Sequence, residues 1–167
     1  SGDVPLLAPE TLLDLVAAHR EEANAVTVLT AVVPDPTGYG RIVREGEEVA
    51  RIVEQSDATD AELGLAEINA GIYVFDAATL GEGLAALQAK NTQGELYLTD
   101  VIAHARAAGR RVGARMIADY LQTEGVNDRI QLAERSAELN RRILAHWMAE
   151  GVTVLDPATT WVHAGVD

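Results

Sequence analysis

Apolar positions in APETLLDLVAAHREEA fall at helical spacing at Leu12, Leu13, Val16 and Ala17, and Pro9 is placed for a first turn. The pattern predicts a helix over 9–22. Next, AVTVLTAVV is an unbroken, largely β-branched run, which predicts a buried strand over 25–33. PDPTGYG breaks it. RIVREGEEVARIVE predicts two short strands around Glu45-Gly46-Glu47, a hairpin. SDATDAELGLAE reads as a polar loop with a helical turn. In INAGIYVFD, Ile68, Ala70, Ile72 and Val74 alternate with Asn69, Gly71, Tyr73 and Phe75, a strand.

Helix is predicted over 77–89, a loop at NTQGE, and a second helix over LYLTDVIAHARAAG that ends at Gly109. RRVGARMIA predicts a strand. EGVNDR turns into a long helix striped by Leu132, Leu139, Ile143 and Trp147, which Gly151 stops. The tail, VTVLDPATTWVHAGVD, reads as short extended pieces. Alternating strands and helices predict an α/β fold with a mostly parallel sheet and one hairpin insertion. The order is unusual. A doubly wound sheet normally opens on a strand with a phosphate-binding loop, and here the first element is a helix.

Composition narrows the functions. The 167 residues are 48% hydrophobic and 4% aromatic, an aliphatic globular balance. A net charge of −13 repels phosphate polyanions and acidic membrane surfaces, which argues against nucleic acid or membrane as partner. There is no Cys, so disulfides, thiolate metal sites and a Cys nucleophile are excluded. No apolar run approaches the roughly 20 residues of a membrane span, and no signal peptide is visible, so the cytoplasm is the expected location. Lys90 stands alone against twelve arginines, which reads as the bias of a GC-rich genome.

Several residues are candidates for chemistry. Asp3 precedes Val4-Pro5 at a presumed strand end, where a carboxylate suits Mg²⁺ or simply caps a turn. Asn127 precedes the long helix, as an N-cap or as a neutral oxygen ligand. Gly38 and Gly40 flank Tyr39, where glycine allows close approach to a ligand or makes a turn. Glu54 shares a strand face with Ile52. Asn69 shares a face with Gly71, which leaves room for a ligand or for a loop contact. The four histidines have no ligand spacing, and no G-x-S-x-G elbow is present.

Taken in order, GDVPLL, DPTGYGRIVRE, IVEQSDATD, EINAGIYVFD, NTQGELYLTDVI, EGVNDRIQLAE and GVTVLDPATTW resemble a family over nearly the whole chain. It is that of the bacterial bifunctional enzymes joining N-acetylglucosamine-1-phosphate uridylyltransferase to glucosamine-1-phosphate acetyltransferase. The arginine bias suits an actinobacterial-type member. The resemblance implies a Rossmann-like nucleotidyltransferase domain over 1–126, a linker helix over 127–151, and the first edge of a left-handed β-helix over 152–167. It also implies that the chain starts mid-domain, without the first strands and their glycine-rich phosphate loop.

The implied reaction makes UDP-N-acetylglucosamine from UTP and N-acetylglucosamine-1-phosphate, a peptidoglycan precursor step, with Mg²⁺ as cofactor. Acetyl-CoA would serve only the acetyltransferase end, and the complete enzyme would be a homotrimer. By the same resemblance Asp3 and Asn127 are the metal ligands, and Asn127 could also cap its helix. Ser1 and Gly2 line the nucleotide side, Ser1 standing where many members have Tyr. Gly40 contacts the amino sugar through its backbone. Glu54 and Asn69 hold the sugar hydroxyls and acetamido arm, and Tyr97 and Thr99 stand behind them. Without the phosphate loop the chain alone is expected to be inactive. The alternatives are a non-catalytic amino-sugar-phosphate binding remnant and an assembly module.

Overall fold

The computed structural model describes residues 2–166, and Ser1, a predicted nucleotide contact, lies outside them. The chain forms two compact units. One spans Ala8–Thr123, and the other joins Gly2–Leu7 to residues 124–166.

The first unit holds the sheet. Helix α1 (Pro9–Glu21) starts with proline in its first turn and carries Glu10 there, with His19 and Arg20 in its last turn, each sign matched to the helix dipole. Strand β1 (Val26–Val32) follows, buried along all but its last residue. A hairpin comes next, β2 (Arg41–Glu45) and β3 (Glu48–Val53), turning at Gly46. Beyond it lie a 3-10 turn (Gln55–Asp57) and one short helix, α2 (Asp60–Leu63), opened by a reciprocal Thr59–Glu62 capping box. Strand β4 (Glu67–Phe75), helices α3 (Ala77–Ala86) and α4 (Asp100–Ala107), strand β5 (Val112–Ile117) and a 3-10 turn (Tyr120–Thr123) complete the unit.

The strand order is β3-β2-β4-β1-β5. Among the described residues only β1 and β5 pair in parallel; β1–β4, β2–β3 and β2–β4 are antiparallel. The sheet is therefore mixed rather than mostly parallel. Val26 and Val28 of β1 pack with Ile42, Val49, Ile52 and Val112 under Ile102 and Ala105 of α4. Ala31 and Val33 point to the opposite face, with Ile68. On that face Thr27 Oγ1 meets His19 of α1 at 2.9 Å. A central strand buried on both sides explains why 25–33 reads as unbroken apolar sequence.

Two further expectations are corrected. The helix predicted from Leu96 begins only at Asp100, and Leu96 and Leu98 are exposed on a loop. Strand β4 is not regular: its pairing with β1 jumps from Thr30↔Asn69 to Val28↔Tyr73, so Ala70, Gly71 and Ile72 stand opposite Leu29 alone. Gly71 takes φ +71° in this bulge, a conformation that favours glycine. Among the described residues β4 meets β2 only at Arg41↔Ile68, which leaves its edge from Ala70 on without a strand partner there.

In the second unit, helix α5 (Arg129–Ala149) carries buried Asn140 and Leu144. Asn140 offers its amide both ways to the tail. Its Nδ2 donates to Thr160 O at 2.8 Å, and its Oδ1 accepts from Val162 N at 3.0 Å. No helix among the described residues is long and apolar enough to cross a membrane.

Candidate functional site

Glu54 follows the last residue of β3 and sits at the centre of a polar patch in the first unit. The end of β3 places it beside Gly40. A Cβ built on Gly40 would lie 3.2 Å from Glu54 Oε2 and 3.0 Å from Ile52 Cγ2, so glycine is what lets this turn close on the carboxylate. From the other side Thr99, buried at the start of α4, donates its hydroxyl to Glu54 Oε1 at 3.1 Å. Thr99 occupies the N-cap position of α4 yet makes no side-chain cap bond, so its hydroxyl serves Glu54.

Asn69 joins the patch through the backbone, where its N–H donates to Gly40 O at 2.9 Å. Its side chain is partly committed: Oδ1 accepts from Gly71 N at 3.0 Å, and Nδ2 donates to the Tyr73 hydroxyl at 2.7 Å. One further hydrogen and one further lone pair remain on that amide for another group. Space is present beside it, because a Cβ on Gly71 would meet nothing within 4 Å. Burial pushes the Tyr73 hydroxyl up to about 12; the Asn69 bond opposes this and the Glu54 charge adds to it. Tyr73 therefore stays a neutral acceptor for Asn69 at physiological pH.

Tyr97 is half-buried and donates to Gln93 Oε1 at 3.0 Å. A bond with the Ser56 hydroxyl lowers its pKa, but desolvation and the nearby Asp57 and Glu54 carboxylates outweigh this, so the net direction is up. Gly40, Glu54, Asn69 and the Tyr97–Thr99 pair thus come from four separate stretches of the chain to one region of the first unit.

Asp3 and Asn127 lie in the second unit, as does Gly2, and all three are exposed. Val126 N donates to Asp3 O at 2.8 Å, which sets Asp3 against the residue preceding Asn127. A Cβ on Gly125 would stand 3.7 Å from Asp3 Oδ2, so the carboxylate itself faces this stretch. The alternative role for Asn127 is corrected: Asp128 caps α5, its Oδ1 accepting from Gln131 N at 2.8 Å. Asn127 contributes only its backbone N–H, which donates to Gln131 Oε1 at 2.7 Å. No group of three or more His, Asp or Glu able to hold a metal occurs among the described residues.

Sequence reasoning missed Tyr73, Gln55, Asp57 and Thr92. Asp57 Oδ1 accepts from Thr92 N at 2.9 Å and from the Thr92 hydroxyl, and Gln55 Oε1 accepts from Gly38 N. No periodic signal marks these residues, since their bonds join loops far apart in sequence. A cavity of about 830 Å³ lies elsewhere, lined by His19, Asn24, Asp76, Thr79 and Arg110 among others, and holds none of the predicted residues. Its Arg110 is already bonded to Thr79 at 2.7 Å and paired with Glu82.

The sequence profile described as nucleotidyl transferase matches residues 3–155. The chain is 57% identical over 172 residues to the bifunctional protein GlmU of Cutibacterium acnes, covering 99% of this chain and 41% of that protein. It is 54% identical over 166 residues to the protein of the same name from Kineococcus radiotolerans, covering 99% and 34%. The chain therefore spans well under half the length of these relatives. A Bacillus anthracis structure described as that of a glucose-1-phosphate thymidylyltransferase, in complex with a sucrose, superposes with a TM-score of 0.51. It covers 85% of this chain and 50% of that one at 16% identity, a likeness of fold alone. With a matched profile over most of its residues and an α/β mixed sheet to go with it, the chain belongs to the nucleotidyl transferase family.

Proposed function

We propose that this chain is the amino-sugar-binding part of a uridylyltransferase that makes UDP-N-acetylglucosamine from UTP and N-acetylglucosamine-1-phosphate, releasing pyrophosphate. The observation that supports it most is the convergence on Glu54: Gly40 so close that a Cβ there would lie 3.2 Å from the carboxylate, Thr99 bonded at 3.1 Å, and Asn69 bonded to Gly40 at 2.9 Å. A carboxylate with an amide beside it and open space over Gly71 suits a sugar's hydroxyls and an acetamido arm.

In this reading the sugar-phosphate oxygen attacks the α-phosphorus of UTP in line, and pyrophosphate leaves. Positioning and electrostatics then carry the reaction, and no protein nucleophile is required. Asp3 and Asn127 fit a Mg²⁺ ion by donor chemistry: both offer hard oxygens, both are exposed, and Asp3 faces the Gly125–Val126 stretch that leads to Asn127. When bound, the ion neutralises charge on the phosphates. The chain's own residues hold the sugar and exclude misplaced analogues.

The same resemblance extends the proposal to a cytoplasmic enzyme of peptidoglycan precursor synthesis. Its full-length form would be a trimer that also uses acetyl-CoA, and residues 152–166 would begin a β-helix. The Asn140 amide, bonded like a neighbouring strand to Thr160 and Val162, is in keeping with that last element.

The test exchanges residues 2–166 for the matching segment of the Kineococcus radiotolerans protein, with that host as positive control. Pyrophosphate release from UTP and N-acetylglucosamine-1-phosphate should persist in the exchange. Asp3→Ala and Asn127→Ala should each lower it about a hundredfold or more, about 3 kcal/mol. Near-wild-type kinetics for Asn127→Ala at saturating Mg²⁺ would remove that residue from the metal site.

A further inference from the structure

The loop between α3 and α4 has no helix or strand of its own over 88–99. It folds on itself through Asn91, whose Oδ1 accepts from Glu95 N at 3.0 Å, and through the Tyr97–Gln93 bond. Its side-chain ties to the rest of the unit all reach the same four residues: Thr92 and Thr99 near its two ends, and Tyr97 between them, bonded to the Ser56 hydroxyl. Thr92 gives its N–H, at 2.9 Å, and its hydroxyl to Asp57. Thr99 gives its hydroxyl to Glu54 at 3.1 Å. On either side of Tyr97 lie the exposed Leu96 and Leu98.

The stretch 54–57 also reaches the opposite wall. Gln55 Oε1 accepts from Gly38 N and, at 3.4 Å, from Arg41 Nη2. Arg41 is buried, and its guanidinium also donates to Tyr39 O, inside the turn that Gly38 and Gly40 flank. Glu-Gln-Ser-Asp is thus a bracket. Glu54 faces the patch, Gln55 fixes the Gly38–Gly40 turn, and Asp57 fixes the 91–99 loop.

We propose that Gln55 and Asp57 are positioning residues that set the separation of the two walls around Glu54, and that the Asp57–Thr92 clasp sets the affinity for the sugar phosphate. This rests on the amino-sugar reading above. The clasp touches no substrate. It acts by fixing where Tyr97 and Thr99 stand relative to Glu54. A loop released from one of its ties samples more positions, and each binding event must order it again. That cost falls on the substrate the loop encloses and not on the nucleotide.

Two measurements test this. In the 167-residue chain, amide hydrogen exchange at Thr92 should be slow, should accelerate in Asp57→Ala, and should stay slow in Asp57→Asn, whose Oδ1 still accepts both bonds. In the exchanged full-length enzyme, Asp57→Ala should raise KM for N-acetylglucosamine-1-phosphate about tenfold, which is 1.4 kcal/mol. KM for UTP and kcat should stay within about twofold. Asp57→Asn should restore the sugar KM, and Thr92→Val should reproduce part of the defect from the other side of the bond.

A sugar KM unmoved by Asp57→Ala overturns the clasp. So do a parallel rise in both KM values, and an Asp57→Asn variant as impaired as Asp57→Ala, because those mark general damage to the fold. Glu54→Gln run in the same assay separates the two levels of the argument. If it raises the sugar KM while Asp57→Ala does not, only the clasp falls. If neither does, the amino-sugar reading falls with it.

Discussion

Gly83 of α3 is where a single methyl group should do the most damage. A Cβ there would lie 2.5 Å from Val101 Cγ1, 3.1 Å from Cγ2 and 3.2 Å from Cβ. Val101 is fully buried on α4, and a β-branched side chain in a helix has one strongly preferred rotamer. It cannot swing aside, so Gly83→Ala must push α3 and α4 apart. Overpacking of this kind costs about 1–3 kcal/mol. Against it stands the gain of alanine over glycine in a helix interior, about 0.5–1 kcal/mol.

Gly81 lies on the same helix, and a Cβ there meets nothing within 4 Å. Gly81→Ala should therefore show the helix gain alone, and the difference between the two variants isolates the clash. The assay is urea unfolding of the 167-residue chain. Gly83→Ala should lower the midpoint by about 0.5 M or more, and Gly81→Ala should raise it, with the slope unchanged in both. The effect also reaches the site, because α4 begins just after Thr99, the residue that holds Glu54. A Gly83→Ala midpoint equal to or above that of Gly81→Ala would refute the close α3–α4 contact.

Other consequences are as direct. Asp128→Ala should destabilise α5 by about 1 kcal/mol by removing its cap, and Asn127→Ala should leave stability unchanged, as compared by circular dichroism melts. Glu138 is held at about 2, first by its hydrogen bond from Arg141 and then by Arg142. Its folded pKa is below the unfolded value of 4.5, so its contribution to stability is present above pH 4.5 and is lost as pH falls toward 2. Glu138→Gln should flatten the unfolding midpoint across that window, and a slope identical to the parent's would contradict the assignment. In ultraviolet titration one of the four tyrosines, Tyr73, should ionise only near pH 12, and the Tyr73→Phe variant should lack that late step.

What the sequence reveals here follows the range of each force. Helix α1 and strand β1 lie within a residue or so of their predicted bounds, because proline placement and an unbroken apolar run are local signals. Glu54 sharing a face with Ile52 follows from the two-residue period of strands, whereas Asn69 and Gly71 straddle a bulge where that period fails. Strand direction does not follow, because pairing is decided between segments far apart, and the sheet predicted as mostly parallel with one hairpin proved mixed. The bulge at Gly71 escaped the alternation count for the same reason. Leu98 has helical spacing with Val101 and Ile102, yet the loop ties at Thr92 and Thr99 hold it and Leu96 outside the helix. Asn127 and Asp128 are both good caps by type, and only the backbone geometry selects Asp128.

The proposed function rests on the Glu54–Asn69 patch holding the sugar. Steady-state kinetics of Asn69→Ala in the exchanged full-length enzyme test it most directly, varying N-acetylglucosamine-1-phosphate, glucose-1-phosphate and UTP in turn. Removing an amide built to pair with a substrate group erases discrimination against analogues that lack it. The predicted result is a fall in kcat/KM for N-acetylglucosamine-1-phosphate far larger than that for glucose-1-phosphate, with KM for UTP barely moved. A raised KM for UTP with sugar discrimination intact would contradict it.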